Sequence, residues 1–327
     1  MDHRIVLIVD ELKDKIKVAN ITRNDLEGNS IDQTLRLEKT LTQVAPVVRY
    51  TAPGDFECHI QEHLNDIVFP MYYGTACPTS KGIVPSLCEA KNIPYIGADV
   101  YAQIICNDKS LSKQYAENFG IFSPKGVLLR NPKDNESTIE LINHLPLPLV
   151  VKPNFGGGST GISAKNIVNS YSDAAILAQK LHQYLNIPIL VEEYIAGYEV
   201  ELIVVGSQHS IRFCEEVQLL IGNKDFFDND LWGFETKDID DSTIDFQLSH
   251  YISELDRQRL LTLFSSFEKM EIIRFDGRIR DGRFYLLELS PDCYLGDDCA
   301  FYFAFQSKGY THSDMFRFII DNALNLG

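Results

Sequence analysis

The sequence has no apolar run approaching the length that spans a bilayer, so no membrane partner is expected. Basic residues are in short supply: 30 Lys and Arg face 46 Asp and Glu, a formal net charge of −16. Grip on a phosphate backbone depends on clustered Lys and Arg, so no nucleic-acid partner is expected either. The seven cysteines (58, 77, 88, 106, 214, 293, 299) are odd in number and never spaced C-x-x-C. Neither a disulfide framework nor a zinc site is indicated, and buried free thiols are the plain reading. The opening MDHRIVLIVDELKDKIK has a short apolar segment, then mixed charge, and no small-residue cleavage site. It reads as a first strand, not a signal peptide, and a cytoplasmic location is expected. Repeats and low-complexity tracts are also missing.

What is present suits an enzyme-sized interior. With 327 residues, 45% of them hydrophobic and 23% charged, the chain is expected to fold as two or three packed units. Residues 4–106 alternate strand and helix patterns. Arg4 to Val9 is a buried strand; Asp32 can cap a helix running through Val44; DIVFPM (66–71) is a strand; a helix follows near Pro85 to Lys91. This βαβ order predicts an α/β unit with a parallel sheet and covering helices. A second unit holds a helix from Lys109 to Phe119 stopped by Gly120, strands GVLL and PLVVKP, a glycine loop, strand GISAKNIV and a helix over 172–185. Strands ILVEEYI, GYEVELIVVG and SIRFCEEV come next, then a polar stretch over 218–250, too long for a passive connector and read as a lid or mobile flap. A helix over 253–269, strands EIIRFDGRI and RFYLLELS joined by Asp281-Gly282, and a helix from Ser313 close the chain.

The stretch LPLVVKPNFGGGSTGIS (147–163) poses the functional question. Gly156, Gly158 and Gly161 fit G-x-G-x-x-G, but a dinucleotide fingerprint should open a helix, and ISAKNIVNSYS reads as strand and turn. A Walker A loop needs Lys and Ser/Thr after its last glycine, where Ile162 and Ser163 stand. A protein-kinase flap is disfavoured because His-Arg-Asp is absent and Lys152 precedes the glycines. What remains is a glycine-tipped hairpin able to fold over phosphates and offer backbone N–H groups. A phosphate cradle needs a cation, and magnesium favours a few carboxylate oxygens with substrate phosphates. Asp276 in RFDGRI and Glu288 in LLELS are acids among apolar strand residues, where burial is costly without a task.

Five ordered blocks then stand out: DIVFPMYYG, IPYIGADVYAQIICNDKSLSK, LVVKPNFGGGSTGIS, VEEYIAGYEVELIVVG and RFDGRIRDGRFYLLELSPD. Together they resemble the ATP-grasp superfamily, in its D-alanine–D-alanine ligase branch, over nearly the whole chain. The resemblance implies an α/β (α+β) ATP-grasp architecture: a Rossmann-like parallel-sheet domain over 1–106, a central subdomain with the glycine flap over 107–187, and a C-terminal subdomain with the magnesium site over 188–327. It implies ATP and Mg²⁺ as cofactors, amino-acid carboxylate and amine substrates, and a homodimer. By position, Lys109 and Lys152 resemble the lysines that hold the ATP phosphates. Gly156, Gly157 and Gly158 resemble the flap, with Ser159 a hydrogen-bond donor in it. Glu192, Glu193, Tyr194 and Ile195 match the adenine-binding hinge and Glu199 the ribose-binding acid. Asp276, Glu288 and Ser290 stand where the magnesium ligands stand, and Arg274 where an arginine faces the reacting carbonyl. Arg274, Lys152 and Ser159 would thus carry the chemistry.

The chain departs from the family in places. Ser290 replaces an asparagine. Tyr73-Gly74 stands where a histidine-glycine pair is expected, the glutamate-bearing turn after IVLIVD is missing, and Trp232 and Gly233 occupy the covering-loop lysine-tyrosine positions. Asp297 and Asp298 fall near the expected acceptor site, as an amine-binding pair or a solvated acidic loop. The departures lie where amino acids would bind, not ATP. Three readings follow: an ADP-forming carboxylate–amine ligase on substrates other than D-alanine, an ATP-binding regulator with reduced catalysis, and a divergent D-alanine–D-alanine ligase.

Overall fold

A computed structural model of the chain describes residues 3–10, 30–74, 79–157, 164–222, 224–228 and 244–324. Three sheets organise it. The first is parallel, in the order β2-β1-β3, from β1 (Ile5–Val9), β2 (Val47–Tyr50) and β3 (Ile67–Met71). Every residue of β1 is buried because both of its faces are covered. Ile5, Leu7 and Val9 pack with Phe316 and Ile319 of the C-terminal helix His312–Leu324, and Val6 and Ile8 pack with Phe56, Val84 and Cys88. The core that starts at β1 therefore continues into the C-terminal third of the chain.

The second sheet is antiparallel, ordered β4-β7-β5-β6, with β4 Gly126–Leu129, β5 Leu149–Pro153, β6 Ile167–Val168 and β7 Ile189–Glu193. Leu149, Val151, Ile189 and Val191 bury one face against Ile142 of the helix Asn135–Ile142 and Ala174, Ala178 and Leu181 of the helix Tyr171–Leu185. With a side-chain period of two, Lys152 and Glu192 must project from the other face.

The third sheet runs β11-β9-β8-β12-β13, with β10 beside β8: β8 Gly197–Ser207, β9 Ser210–Ile221, β10 Phe226–Phe227, β11 Ile244–Leu248, β12 Ile272–Arg280 and β13 Arg283–Ser290. Val200, Leu202, Val204, Ile273 and Phe275 face Leu260, Leu263 and Phe264 of the helix Glu254–Ser265. The alternate residues Glu199, Glu201, Arg274 and Asp276 are left for the opposite face. A bulge between Asp276 and Gly277 lets Asp276 oppose Glu288 while Gly277 opposes Leu286. Asp281 and Gly282, at φ +53° and +72°, make the two-residue turn expected of Asp-Gly.

Several sequence expectations shift in detail. Ser30, not Asp32, caps the first helix, which spans Ile31–Leu41; the Ser30 side chain accepts from Gln33 N–H and the Gln33 side chain returns the bond, a reciprocal box that Asp32 inside the first turn cannot make. Within GISAKNIV only Ile167–Val168 is strand, preceded by a 3₁₀ turn over Ala164–Asn166; residues 161–163 lie outside the described residues. The polar stretch 218–250 is partly sheet: its two ends are the antiparallel partners β9 and β11, and 229–243 lie outside the described residues. Among the described residues, no helix is long and apolar enough to cross a membrane.

Candidate functional site

Lys109 opens the helix Lys109–Glu117, and its place is fixed by Asn154 just past β5. Asp108 caps that helix through Leu111 N–H and also accepts from Asn154 Nδ2 at 2.8 Å. Asn154 accepts in turn from Ser110 N–H at 3.0 Å with its side chain, and from Lys109 N–H at 3.0 Å with its backbone carbonyl. The helix start is thereby tied to the strand that carries Lys152 and the glycine loop. Lys109 Nζ donates to the Gly156 carbonyl, and Gly156 sits at φ +88°, a conformation that suits a residue without Cβ.

One turn along the same helix stands Lys113, which the sequence reading missed although its i+4 spacing from Lys109 puts both on one face. Lys113 and Lys152 hold the Glu192 carboxylate between them, Lys152 Nζ at 2.5 Å from Oε1. All three side chains are buried. Burial would push the Glu192 carboxyl up, but the two lysines overcome it and its pKa is lowered. Lys113 carries the cost: burial outweighs the attraction of Glu192, like-charged Lys152 adds to it, and its pKa drops to about 7.

The acidic end is built on β12 and β13. Asp276 and Glu288 are cross-strand partners, as are Arg274 and Ser290. Arg274 donates to both Asp276 oxygens, at 2.6 and 3.0 Å, and lies 3.4 Å from Glu201 Oε2; Ser290 Oγ donates to Asp276 Oδ2 at 3.1 Å. Desolvation raises the Asp276 pKa, Arg274 opposes this, and neighbouring Glu288 pushes it further up. Two acids pressed together on one face, with a hydroxyl beside them, are the hard oxygen donors that suit magnesium, and a dication would relieve their repulsion. Here Arg274 and Lys109 supply that positive charge. Among the described residues, no group of three His, Cys, Asp or Glu side chains stands ready to hold a metal ion.

Lys109 joins the two ends. Its Nζ lies 2.8 Å from Glu288 Oε1 while it also holds Gly156, and Glu288 is lowered despite burial by Lys109 first, then by Lys152 and Lys81. The lysines beside the glycine loop and the acids of the distant strand pair face one cleft.

Beyond them lies the hinge from β7 to β8. Tyr194 and Ile195 are buried, and Glu192 points into the cleft. Glu193, its neighbour on the strand, engages Lys125 N–H at 2.9 Å and Arg280 at 3.6 Å, so backbone is what it offers the cleft. Glu199 is bound by the guanidinium of Arg278, which the sequence reading did not single out although it continues the alternation of Arg274 and Asp276. At the other end, Asp10 follows β1 and accepts from Tyr73 N–H at 2.6 Å and Gly74 N–H at 3.2 Å, and Lys81 Nζ lies 2.7 Å from Asp292 and over the Tyr73 ring. These groups sit at the carboxyl ends of the parallel strands β1 and β3, where ligand crevices of such sheets form. Asp297 and Asp298 are ion-paired with Arg36, at 2.9 and 3.5 Å. Gly158, Ser159, Trp232 and Gly233 lie outside the described residues.

An antiparallel sheet and a larger antiparallel sheet closing on a lysine-and-carboxylate cleft, behind a parallel-sheet unit, define an ATP-grasp protein. Residues 116–321 match the family described as D-ala D-ala ligase C-terminus, and the chain belongs to that family. It is 30% identical over 178 residues to D-alanine–D-alanine ligase A of Escherichia coli K12, a match over 54% of this chain and 45% of that protein. The matched segment thus spans less than half of that relative. The fold is similar to that of the Bacillus anthracis D-alanine–D-alanine ligase complexed with ATP, with TM-score 0.73, 17% identity and coverage of 99% of this chain and 98% of that one. It is also similar to the VanG D-Ala:D-Ser ligase of Enterococcus faecalis, with TM-score 0.68, 16% identity and coverage of 100% and 99%.

Proposed function

We propose that the protein is an ADP-forming ligase that joins a carboxylate to an amine through an acyl phosphate. The observation that carries this reading is the Lys109–Glu288 ion pair, which brings the glycine-loop lysines and the Asp276–Glu288 acids to one place. In the reaction a carboxylate oxygen attacks the γ-phosphorus of ATP, ADP departs, and the amine then attacks the acyl carbon, losing a proton as phosphate leaves. Two anions must meet in the first step, so the chain's task is to spread positive charge around the transferring group. Lys109 and Lys152 would hold the phosphates, with the glycine flap Gly156–Gly158 and Ser159 donating from above. Asp276 and Glu288, with Ser290, would hold magnesium, which when bound supplies Lewis-acid neutralisation of the phosphate oxygens. Glu192 and the backbone of Glu193, Tyr194 and Ile195 would receive adenine, and Glu199 the ribose hydroxyls. Arg274, released from Asp276, would face the oxyanion of the second step. An acyl phosphate is hydrolysed by water, so a cover is needed, and the 218–250 stretch together with the glycine flap would supply one.

The substrate pair differs, on this reading, from two D-alanines. Asp10, Tyr73, Lys81 and Asp292 gather beyond Glu288, and Tyr73 stands where the family pattern has a histidine. Burial raises the pKa of the Asp10 carboxyl and Lys81 only partly opposes this, while Lys81 helps lower that of Glu288; Lys81 suits a substrate carboxylate, and Asp10 an ammonium. The test is ADP release in Mg²⁺ against a panel of amino acids, singly and in pairs, with hydroxylamine added to trap the acyl phosphate. Release that depends on a particular pair and a hydroxamate from one member supports the reading. Absence of both across the panel refutes it, and turnover of D-alanine alone refutes the altered specificity.

A further inference from the structure

The buried guanidinium of Arg278 is the feature that the proposed chemistry leaves unused. It is 2% exposed, on a strand whose place in the core an aliphatic side chain would fill at no electrostatic cost. Its donors are spent in a particular way. Nε and Nη2 both go to the same oxygen of Glu199, Oε2, at 3.0 and 2.8 Å, while Nη1 goes to the Ile195 backbone carbonyl at 2.8 Å. The guanidinium lies over the rings of Tyr194 and Phe227, with its central carbon 5.0 and 5.3 Å from the ring centroids, and the Tyr194 hydroxyl donates to the Phe227 carbonyl at 3.1 Å. Arg278 and Glu199 are also direct partners across β12 and β8, so the backbone ladder fixes their separation.

From this geometry we infer that Arg278 is a positioning residue that fixes the Glu199 carboxylate against the hinge and thereby sets the protein's preference for a ribonucleotide over a deoxyribonucleotide. The inference rests on the proposed nucleotide reading of the cleft. With Oε2 held by two N–H groups, rotation of the carboxylate is blocked and Oε1 keeps one direction. Because the same guanidinium holds Ile195, the part that would read the base and the part that would read the sugar move as one body. Arg278 would act through Glu199 and Ile195. A planar fork is required for this, since an ammonium can direct one N–H at Glu199 but cannot span to Ile195 with the same geometry.

The test is the affinity for MgATP, Mg-2′-deoxyATP and Mg-3′-deoxyATP, measured by calorimetry on the full chain. The unsubstituted protein is expected to favour ATP over at least one deoxy analogue by about tenfold, the value of one hydrogen bond to a charged acceptor. In Arg278→Met the preference should shrink to within about twofold, mainly through weaker ATP binding, because Glu199 no longer holds one orientation. Arg278→Lys keeps the charge and much of the volume, guards against a folding failure in the first variant, and should lose most of the preference. Equal weakening of all three nucleotides, or an Arg278→Lys variant with the full preference, would overturn the inference while leaving the nucleotide site standing. Failure of the unsubstituted protein to bind MgATP would overturn both.

Discussion

Lys113 is the residue whose chemistry the fold changes most plainly. Burial strips water from its ammonium, like-charged Lys152 adds to the cost, the shared Glu192 carboxylate only partly offsets both, and the lysine pKa falls to about 7. The unfolded chain keeps that lysine near 10.5, so between these values it binds more protons than the native state and stability rises with pH. Below pH 7 both states are protonated and the dependence vanishes. Denaturant unfolding from pH 6 to 9 should therefore show the protein gaining on a Lys113→Met variant by up to about 1.4 kcal/mol per pH unit above pH 7. Parallel curves would count against the shift. Lys152, Asp276 and Glu288 were legible in the sequence because each is a charge set among apolar strand residues or beside glycines, and Lys109 was reached through the family resemblance. Lys113, Asn154 and Arg278 were not. Each acts through partners 44 or more positions away in the chain (Glu192 for Lys113, Asp108 and Ser110 for Asn154, Glu199 for Arg278), and composition around each looks ordinary.

At the scale of elements, strands β8 and β12 approach so closely at the hinge that Gly197 has no room for a side chain: an added Cβ would lie 2.2 Å from the Ile279 carbonyl oxygen. Gly197→Ala should cost about 2 kcal/mol or more in thermal unfolding, because backbone and not a movable side chain must give way; an unchanged melting temperature would contradict this packing. A second device sits where the polar stretch returns to the sheet. Glu216, buried on β9, accepts from Ser249 Oγ at 2.8 Å, from Tyr251 N–H at 2.6 Å and from Arg257 at 2.9 Å. It ties the chain just past β11 to β9. Glu216→Leu should lower stability in denaturant unfolding by about 3 kcal/mol, by leaving buried donors unmet, and an unchanged midpoint would contradict this anchoring. The longer elements were legible from periodicity. The helices Val100–Asn107, Asn135–Ile142 and Ala300–Gln306 were not, being only seven or eight residues long, too few turns for a helical period to show.

For the molecule as a whole, the contrast is between a formal charge of −16 and a cleft into which Lys109, Lys113, Lys152 and Arg274 are gathered. The parallel sheet was readable from alternating strands and helices, but its edge strand β2 was not, and neither was the sharing of one core between β1 and the helix His312–Leu324, since no local pattern announces a partner at the other end of the chain. That shared core predicts cooperative unfolding, and MgATP at a hundredfold excess over its Kd should add about 2.7 kcal/mol by mass action. The most direct measurement is MgATP affinity for the unsubstituted protein, Lys152→Met and Glu288→Gln, each with magnesium and with magnesium chelated. Binding should be magnesium-dependent, weakened about tenfold or more by Lys152→Met, and stripped of most of its magnesium dependence by Glu288→Gln. If both variants bind MgATP as the unsubstituted protein does, the two ends of the cleft do not meet on one triphosphate and the account fails.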